Sequence, residues 1–134
     1  MRNSKGFTLV ELMIVIVFFG LLAAFAMPTY FEMRNAAMEG VVKGNMHTLQ
    51  LAAEDFAAQH DGIYPTAADA QAVIALLPGG VSPINPFTGK ETLIRWGEPA
   101  TSPGDLGYWI PAVNQYEIEG FGAKKWLDLK LSNH

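Results

Sequence analysis

Glu11 is the residue whose position most calls for a chemical explanation. It stands inside an apolar run that begins at Phe7 and continues without another charge from Leu12 to Met27. A carboxylate within an apolar helix costs a few kcal/mol, and such residues usually have a partner or a function. If the chain is cut after Gly6, the new α-ammonium group of Phe7 lies one helical turn before Glu11. The two charges can then meet within one chain, or between neighbouring copies, where they would set the register of an assembly.

Two other interpretations of this run leave Glu11 without a purpose. A secretory signal peptide would have Arg2 and Lys5 as its positive region and Ala24-Phe25-Ala26 as its cleavage site. A plain membrane anchor from Leu12 to Met27 would span about 24 Å, less than the hydrocarbon core of a bilayer. An anchor that starts at Phe7 would span about 31 Å and would include the carboxylate.

The segment KGFTLVELMIVIVFFGLLAAFAMP resembles the N-terminus of type IV pilins and of the related pseudopilins of type II secretion. The resemblance covers about residues 5–30 and carries a class III prepilin signal. It implies that residues 1–6 are a leader peptide, that cleavage falls between Gly6 and Phe7, and that the amine of Phe7 is methylated. It also implies that Glu11 is needed for assembly and that the helix loosens between Gly20 and Pro28 when filaments form.

The function implied by this resemblance is that of a structural subunit. The prepilin would wait in the bacterial inner membrane, be processed by a prepilin peptidase and methyltransferase, and be polymerised with other copies by an assembly machinery. The product would be a type IV pilus on the cell surface, a fimbrium of the kind used in adhesion and motility. The alternative is the major pseudopilin of a type II secretion system, periplasmic, which pushes exoproteins across the outer membrane. A third possibility is a periplasmic binding domain on an ordinary anchor.

Catalytic chemistry finds little support elsewhere in the chain. His47, His60 and His134 do not have the spacing of a metal-binding motif. Gly79-Gly80 lacks the following Lys and Ser or Thr of a phosphate-binding loop, and no nucleophile elbow occurs. We therefore expect a protein that is not an enzyme and has no cofactor.

Calcium is the one cofactor worth weighing, since the resemblance extends to major pseudopilins that hold this ion in a C-terminal loop. The candidate ligands are Asp105, Glu117, Glu119 and Asp128, because calcium binds several carboxylate and carbonyl oxygens. No clustered D-x-D pattern accompanies them. The simpler interpretation is that these four are solvated carboxylates on strands and loops.

Composition excludes two further classes of protein and site. Of the 134 residues, 9 are Lys or Arg and 13 are Asp or Glu, a net charge of -4 with no basic cluster, so nucleic-acid binding is not expected. Since the chain has no cysteine, it cannot form the disulfide that closes a C-terminal loop in many type IV pilins. The loop 120–125 must be held in another way, and Phe121 and Trp126 are the candidate anchors into the core.

One long helix is predicted over residues 7–61, with 7–30 as its membrane or filament-core part. Beyond Pro28 an apolar stripe recurs at helical spacing, and His60-Asp61-Gly62 is typical of a helix end. The residues of the stripe are Val42, Met46, Leu49, Ala53 and Phe56. The second half of the helix is therefore amphipathic and should pack under a globular head, residues 62–134.

The head combines a short helix with strands. Thr66, with Asp69 three residues later, predicts the start of a helix over 67–77. Four strand-like segments follow, at residues 92–96, 107–110, 116–121 and 127–131. The predicted fold class is α+β, a long N-terminal helix packed on a small antiparallel sheet, which is the pilin fold that the resemblance implies.

Overall fold

The computed structural model describes residues 6–133, and its longest element is helix α1, Leu9–Gln59. The chain divides after Arg34 into two compact units, and α1 contributes its first part to one and its second part to the other. In the N-terminal unit α1 contains a stretch long and apolar enough to cross a membrane. The helix is continuous through Pro28.

The C-terminal unit is built on the amphipathic part of α1. All five residues of the predicted stripe are buried, as are Ala52 and Ala57 beside them. Burying a large apolar side chain of this kind contributes about 1.5–3 kcal/mol, so this stripe is a main source of stability. Gly120 lets the sheet approach the helix, because a Cβ there would lie 2.9 Å from both Val42 Cγ1 and Met46 Sδ.

Helix α1 ends where the sequence predicts. Asp61 and Gly62 adopt left-handed conformations with φ of 55° and 81°. The amide of Gly62 reaches back to the carbonyl of Ala57 at 2.8 Å, which satisfies an acceptor that the helix end would leave free.

The short helix is present, although its first turn is a 3₁₀ turn, Ala67–Asp69, and helix α2 proper is Ala70–Leu76. The Asp69 carboxylate accepts hydrogen bonds from the amide of Thr66 at 2.9 Å and from its hydroxyl at 2.8 Å. The predicted capping pair is therefore confirmed. A second 3₁₀ turn, Pro78–Gly80, leads the chain away from α2.

Four strands form one sheet in the order β1-β2-β3-β4. They are β1 Ile94–Trp96, β2 Leu106–Trp109, β3 Glu117–Phe121 and β4 Trp126–Ser132. The α+β class is confirmed, but the sheet is mixed, because β1 pairs with β2 in parallel. The reason is the loop 97–105, which is long enough to carry the chain back past the very short β1 before β2 begins. The other two pairs are antiparallel, as predicted.

The β3–β4 turn is held by a residue of α1 rather than by its aromatic neighbours alone. Glu39 Oε1 accepts a hydrogen bond from the amide of Ala123 at 3.0 Å. The prediction that Trp126 anchors in the core is wrong, because this side chain is 51% exposed and its indole N–H donates to the carbonyl of Ala100 at 2.7 Å. Phe121 is half-buried and meets the Trp126 ring edge-on. Hydrogen bonds to the Glu39 carboxylate and to the Ala100 carbonyl thus take the place of a covalent link at this turn.

Candidate assembly and processing site

The residues around the predicted cleavage point form a capping motif at the start of α1. Gly6 and Phe7 are exposed and precede the helix. Glu11 accepts hydrogen bonds from the amide of Thr8 at 2.9 Å and from its hydroxyl at 2.8 Å. The amide of Glu11 in turn approaches Thr8 Oγ1 at 3.2 Å. This is a reciprocal capping box, which satisfies orphan donors of the first helical turn.

The capping box gives the carboxylate of Glu11 a partner within a single chain. Thr8 was not singled out from the sequence, although T-x-x-E before an apolar run is the signature of such a box. Arg2 and Lys5, with the other residues before Gly6, lie outside the described residues.

The apolar part of α1 offers a large uncovered surface. Within the most apolar stretch of the helix no residue is buried. Exposed side chains of α1 include Leu9, Phe18, Phe25 and Phe31, and Phe7, just before the helix, is exposed as well. A surface of this size must be covered by lipid or by other protein.

Gly20 and Pro28, the two predicted points of loosening, both lie within the continuous helix. A side chain at Gly20 would meet no atom of the chain within 4 Å, so no packing contact explains a glycine there. Pro28 has no amide proton and leaves the carbonyl of Ala24 without its helical donor. Both residues weaken the helix locally, Gly20 through its backbone freedom and Pro28 through the lost hydrogen bond.

The four candidate calcium ligands are not brought together. Glu117 and Glu119 lie on β3, and both carboxylates contact the ammonium group of Lys130 on β4. Asp128 is exposed and pairs with Lys125 at 3.8 Å, and Asp105 is buried at the start of β2. Among residues 6–133, no three His, Asp or Glu side chains converge on a point that could hold a metal ion.

A buried network that sequence reasoning missed links α1 to the sheet. Glu54 accepts hydrogen bonds from the hydroxyls of Tyr116 at 2.6 Å and Tyr64 at 2.9 Å. Gln50 donates to the oxygen of Tyr116 at 3.0 Å. Burial, followed by the bond to Glu54, raises the pKa of Tyr116. The network keeps Tyr116 protonated and has a structural role, and no sequence spacing reveals it because its members are far apart in the chain.

The histidines have no shared site in the part of the chain that the structure describes. His47 is exposed on α1, as predicted. His60 stacks on Phe56 with ring centroids 3.9 Å apart, and its Nδ1 lies 2.8 Å from the carbonyl of Phe56. His134 lies outside the described residues.

Taken together, an exposed apolar helix that begins with a capping box and continues under a four-stranded sheet defines the pilin-like class of α+β proteins. The comparisons agree with this class. The family model described as "Prokaryotic N-terminal methylation motif" matches residues 1–27.

Similar proteins are pilins and a secretion protein. The chain is 36% identical to the type IV major pilin protein PilA of Myxococcus xanthus over 59 residues, which is 44% of this chain and 27% of the pilin. It is 59% identical to the type IV major fimbrial protein FimA of Dichelobacter nodosus over 40 residues, 28% of this chain and 25% of that protein. These matches thus span about a quarter of each pilin.

One relative is matched over most of its length. The type II secretion system core protein G of Pseudomonas aeruginosa is 28% identical over 112 residues, which is 79% of each chain. No solved structure matches this chain. The resemblance to type IV pilins and type II secretion pseudopilins is confirmed by these findings.

Proposed function

We propose that this protein is a structural pilin subunit that is cut between Gly6 and Phe7, methylated on the new amine, and polymerised into a type IV pilus. Residues 1–6 are then the leader, residues 7–61 the long helix with 7–30 as its membrane and filament-core part, and residues 62–134 the head. The subunit has no catalytic role. Its partners are other copies of itself, the inner membrane, the prepilin peptidase and methyltransferase, and the assembly machinery.

The observation that carries this proposal is an apolar stretch of α1 in which no residue is buried, with a carboxylate at its beginning. In the inner membrane lipid covers the apolar side chains, and in a filament neighbouring helices cover them. Glu11 is held by Thr8 in the single chain. On assembly it would exchange these bonds for the stronger, charge-assisted contact with the free amine of a neighbour. Gly20 and Pro28 let the helix loosen as it is packed.

A pseudopilin of type II secretion is the second candidate. It is favoured by one observation, the extent of the match to core protein G, which covers the head as well as the N-terminal helix. The matches to the two pilins cover 44% and 28% of the chain. In that case the filament would be short and periplasmic and would push exoproteins across the outer membrane.

The first prediction concerns Glu11. Glu11→Ala should leave processing intact and reduce filament formation strongly, because the incoming amine loses its counter-charge in an apolar surrounding. The intact mass of the protein measures cleavage, and the chain should begin at Phe7 and carry one methyl group. The amount of protein in sheared filaments measures assembly. Glu32→Ala is the matched control, since Glu32 is an exposed carboxylate of the same helix beyond the apolar run. Normal filament levels in the Glu11 variant would contradict the pairing.

Deletion of the gene separates the two candidate functions. Loss of surface filaments with normal secretion supports the pilus. A secretion defect without any surface filaments in the parent strain supports the pseudopilin.

A further inference from the structure

An apolar groove opens at one end of the C-terminal unit. Its walls are formed by Ile63, Ile110 and Val113, together with Tyr64, Thr66 and Asn114, and its volume is about 290 Å³. Val113 is 96% exposed at its edge. Ile63 is also largely exposed, and exposed branched side chains around a groove are an unfavourable arrangement in a chain that remains alone in water.

Carboxylates are hydrogen-bonded to, or close in sequence to, residues that line this groove. Asp61 lies two residues before Ile63 and is exposed. Asp69 is bound to Thr66, whose amide and then hydroxyl lower the pKa of the Asp69 carboxyl, so its charge is retained. Glu54 accepts a hydrogen bond from Tyr64. No Lys or Arg occurs between residues 44 and 89, so the chain supplies no cation of its own from this region.

The β3–β4 turn has the opposite character. Lys124 and Lys125 follow one another at its tip and are both exposed. The half-exposed indole ring of Trp126 comes next, fixed by its bond to Ala100. The ammonium group of Lys125 lies 3.8 Å from the Asp128 carboxylate, but both side chains are exposed, so this pair can exchange for another carboxylate. The tip therefore offers Lys124, and Lys125 by exchange, beside a fixed aromatic surface, a combination that suits an apolar groove with an acidic edge.

The topology places the groove and the tip at opposite ends of the same two strands. Tyr116 and Asn133 flank the end of β3 and β4 near the groove, where the side-chain amide of Asn133 donates to the carbonyl of Asn114 at 3.0 Å. The turn 122–125 closes the other end. Because whole strands separate them, the two surfaces cannot meet within one copy of the chain.

We propose that the Lys124-Lys125-Trp126 tip of one copy docks into the acidic-edged groove of a second copy. The two surfaces are different, so the contact is heterologous, and a contact of this type repeats without closing into a dimer. This inference rests on the proposed filament function and names a contact between heads within it. The apolar parts supply the buried area, and Lys125 with Asp61 selects the partner and the orientation.

Cysteine cross-linking tests the contact directly, because the native chain has no cysteine and so no background. The full-length protein carrying both Val113→Cys and Lys124→Cys is assembled in its host and oxidised. A ladder of covalent multimers is expected, which reducing agent collapses. The control pair Val113→Cys with Lys90→Cys uses another exposed lysine, in the loop 85–90, and should stay monomeric. A ladder from the control alone, or no ladder from the first pair in filaments that form normally, overturns the docking.

Charge substitutions supply a second test. Lys125→Glu should lower filament yield about tenfold, since it brings like charges together at the groove, whereas Lys90→Glu should have little effect. Lys125→Gln and Asp61→Asn should each weaken assembly, and the second change should cost less once the first is present. Asn is chosen because Asp61 has a positive φ, which Asn tolerates. Strictly additive effects overturn the pairing. If the parent protein forms no filaments in its host, the proposed function itself fails. If normal filaments form but the first cysteine pair gives no ladder, only the docking contact fails.

Discussion

Glu11 shows how one residue can be stable in two environments. In the single chain its carboxylate completes the capping box with Thr8, so it does not stand unpaired in an apolar run. The same bonds orient the carboxylate at the very beginning of the helix, next to Phe7. A partner that arrives with a free amine finds the acceptor already positioned. The cost of keeping a charge in the membrane is therefore reduced by a neighbour three residues away.

The buried carboxyl of Asp105 should make the stability of the protein depend on pH. Burial raises the pKa of this carboxyl above its ordinary value of 3.8, although Arg95 opposes the shift. Between the unfolded and the folded pKa the folded protein binds more protons, so stability falls as pH rises through this window and stays lower above it. Asp105→Asn, which cannot ionise, should raise the thermal midpoint at pH 7. The gain should shrink towards pH 3, where the native carboxyl is protonated in both states.

The measurement is thermal unfolding of both proteins by circular dichroism across that pH range. A variant that is less stable than the parent at pH 7 would mean that the charged form of Asp105 is stabilised by Arg95 more than burial destabilises it.

A side chain at Gly104 should destabilise the protein, because there is no room for a Cβ atom at this position. It has a φ of 82°, and a Cβ there would overlap the side-chain amide of Asn85, which donates to the carbonyl of Pro103 at 2.9 Å. Gly104→Ala should cost more than about 2 kcal/mol, since strain and overlap combine. Gly89→Ala is the control, because Gly89 has a φ of 69° but no atom within 4 Å of an added Cβ. It should cost only about 1 kcal/mol. If urea unfolding shows that Gly104→Ala and Gly89→Ala lower the free energy of unfolding equally, the overlap with Asn85 has no energetic cost.

At the scale of elements, local rules predicted well and long-range pairing did not. The stripe of α1, its end at Gly62 and the Thr66 cap all follow from spacing and from side chains close in sequence. The strands were placed within a residue or two. The parallel pairing of β1 with β2 was missed because a loop length does not reveal the path of the loop.

The same distinction applies to the candidate site. The cleavage, methylation and assembly residues could be proposed from a resemblance over a short stretch, and they stay predictions. The Tyr116–Glu54 bond joins residues 62 apart in sequence, and the indole N–H of the half-exposed Trp126 donates to the carbonyl of Ala100, which is 26 residues away. Neither feature can be predicted from the local sequence pattern.

The β3–β4 turn yields a prediction for an element. Glu39→Ala removes the acceptor of the Ala123 amide and should speed hydrogen exchange of this amide roughly fivefold, for a bond worth about 1 kcal/mol. Glu39→Gln keeps an acceptor oxygen and serves as the control. If both variants exchange like the parent, the turn is held by the Trp126 bond and Glu39 is dispensable.

At the scale of the whole molecule, the two units have different requirements. All residues of the hydrophobic core lie between Val42 and Leu131, in the C-terminal unit. The apolar stretch of the N-terminal unit contributes nothing to that core. Folding of the head and burial of the helix are therefore separate events, and the second needs lipid or other subunits.

A fragment that begins at Asn35 should consequently be soluble and fold by itself. We expect one cooperative unfolding transition with an enthalpy of roughly 60–80 kcal/mol, as for other domains of about 100 residues. Differential scanning calorimetry and near-ultraviolet circular dichroism measure this. A broad transition without near-ultraviolet signal would mean that the head depends on the first part of α1.

Trp126 has a further consequence, for spectroscopy. Its ring is more exposed than those of Trp96 and Trp109, which are half-buried. If its ring becomes covered when subunits meet, its fluorescence will shift to shorter wavelength and become harder to quench with iodide. Polymerisation could then be timed in unlabelled protein, with an emission signal that the fold itself provides.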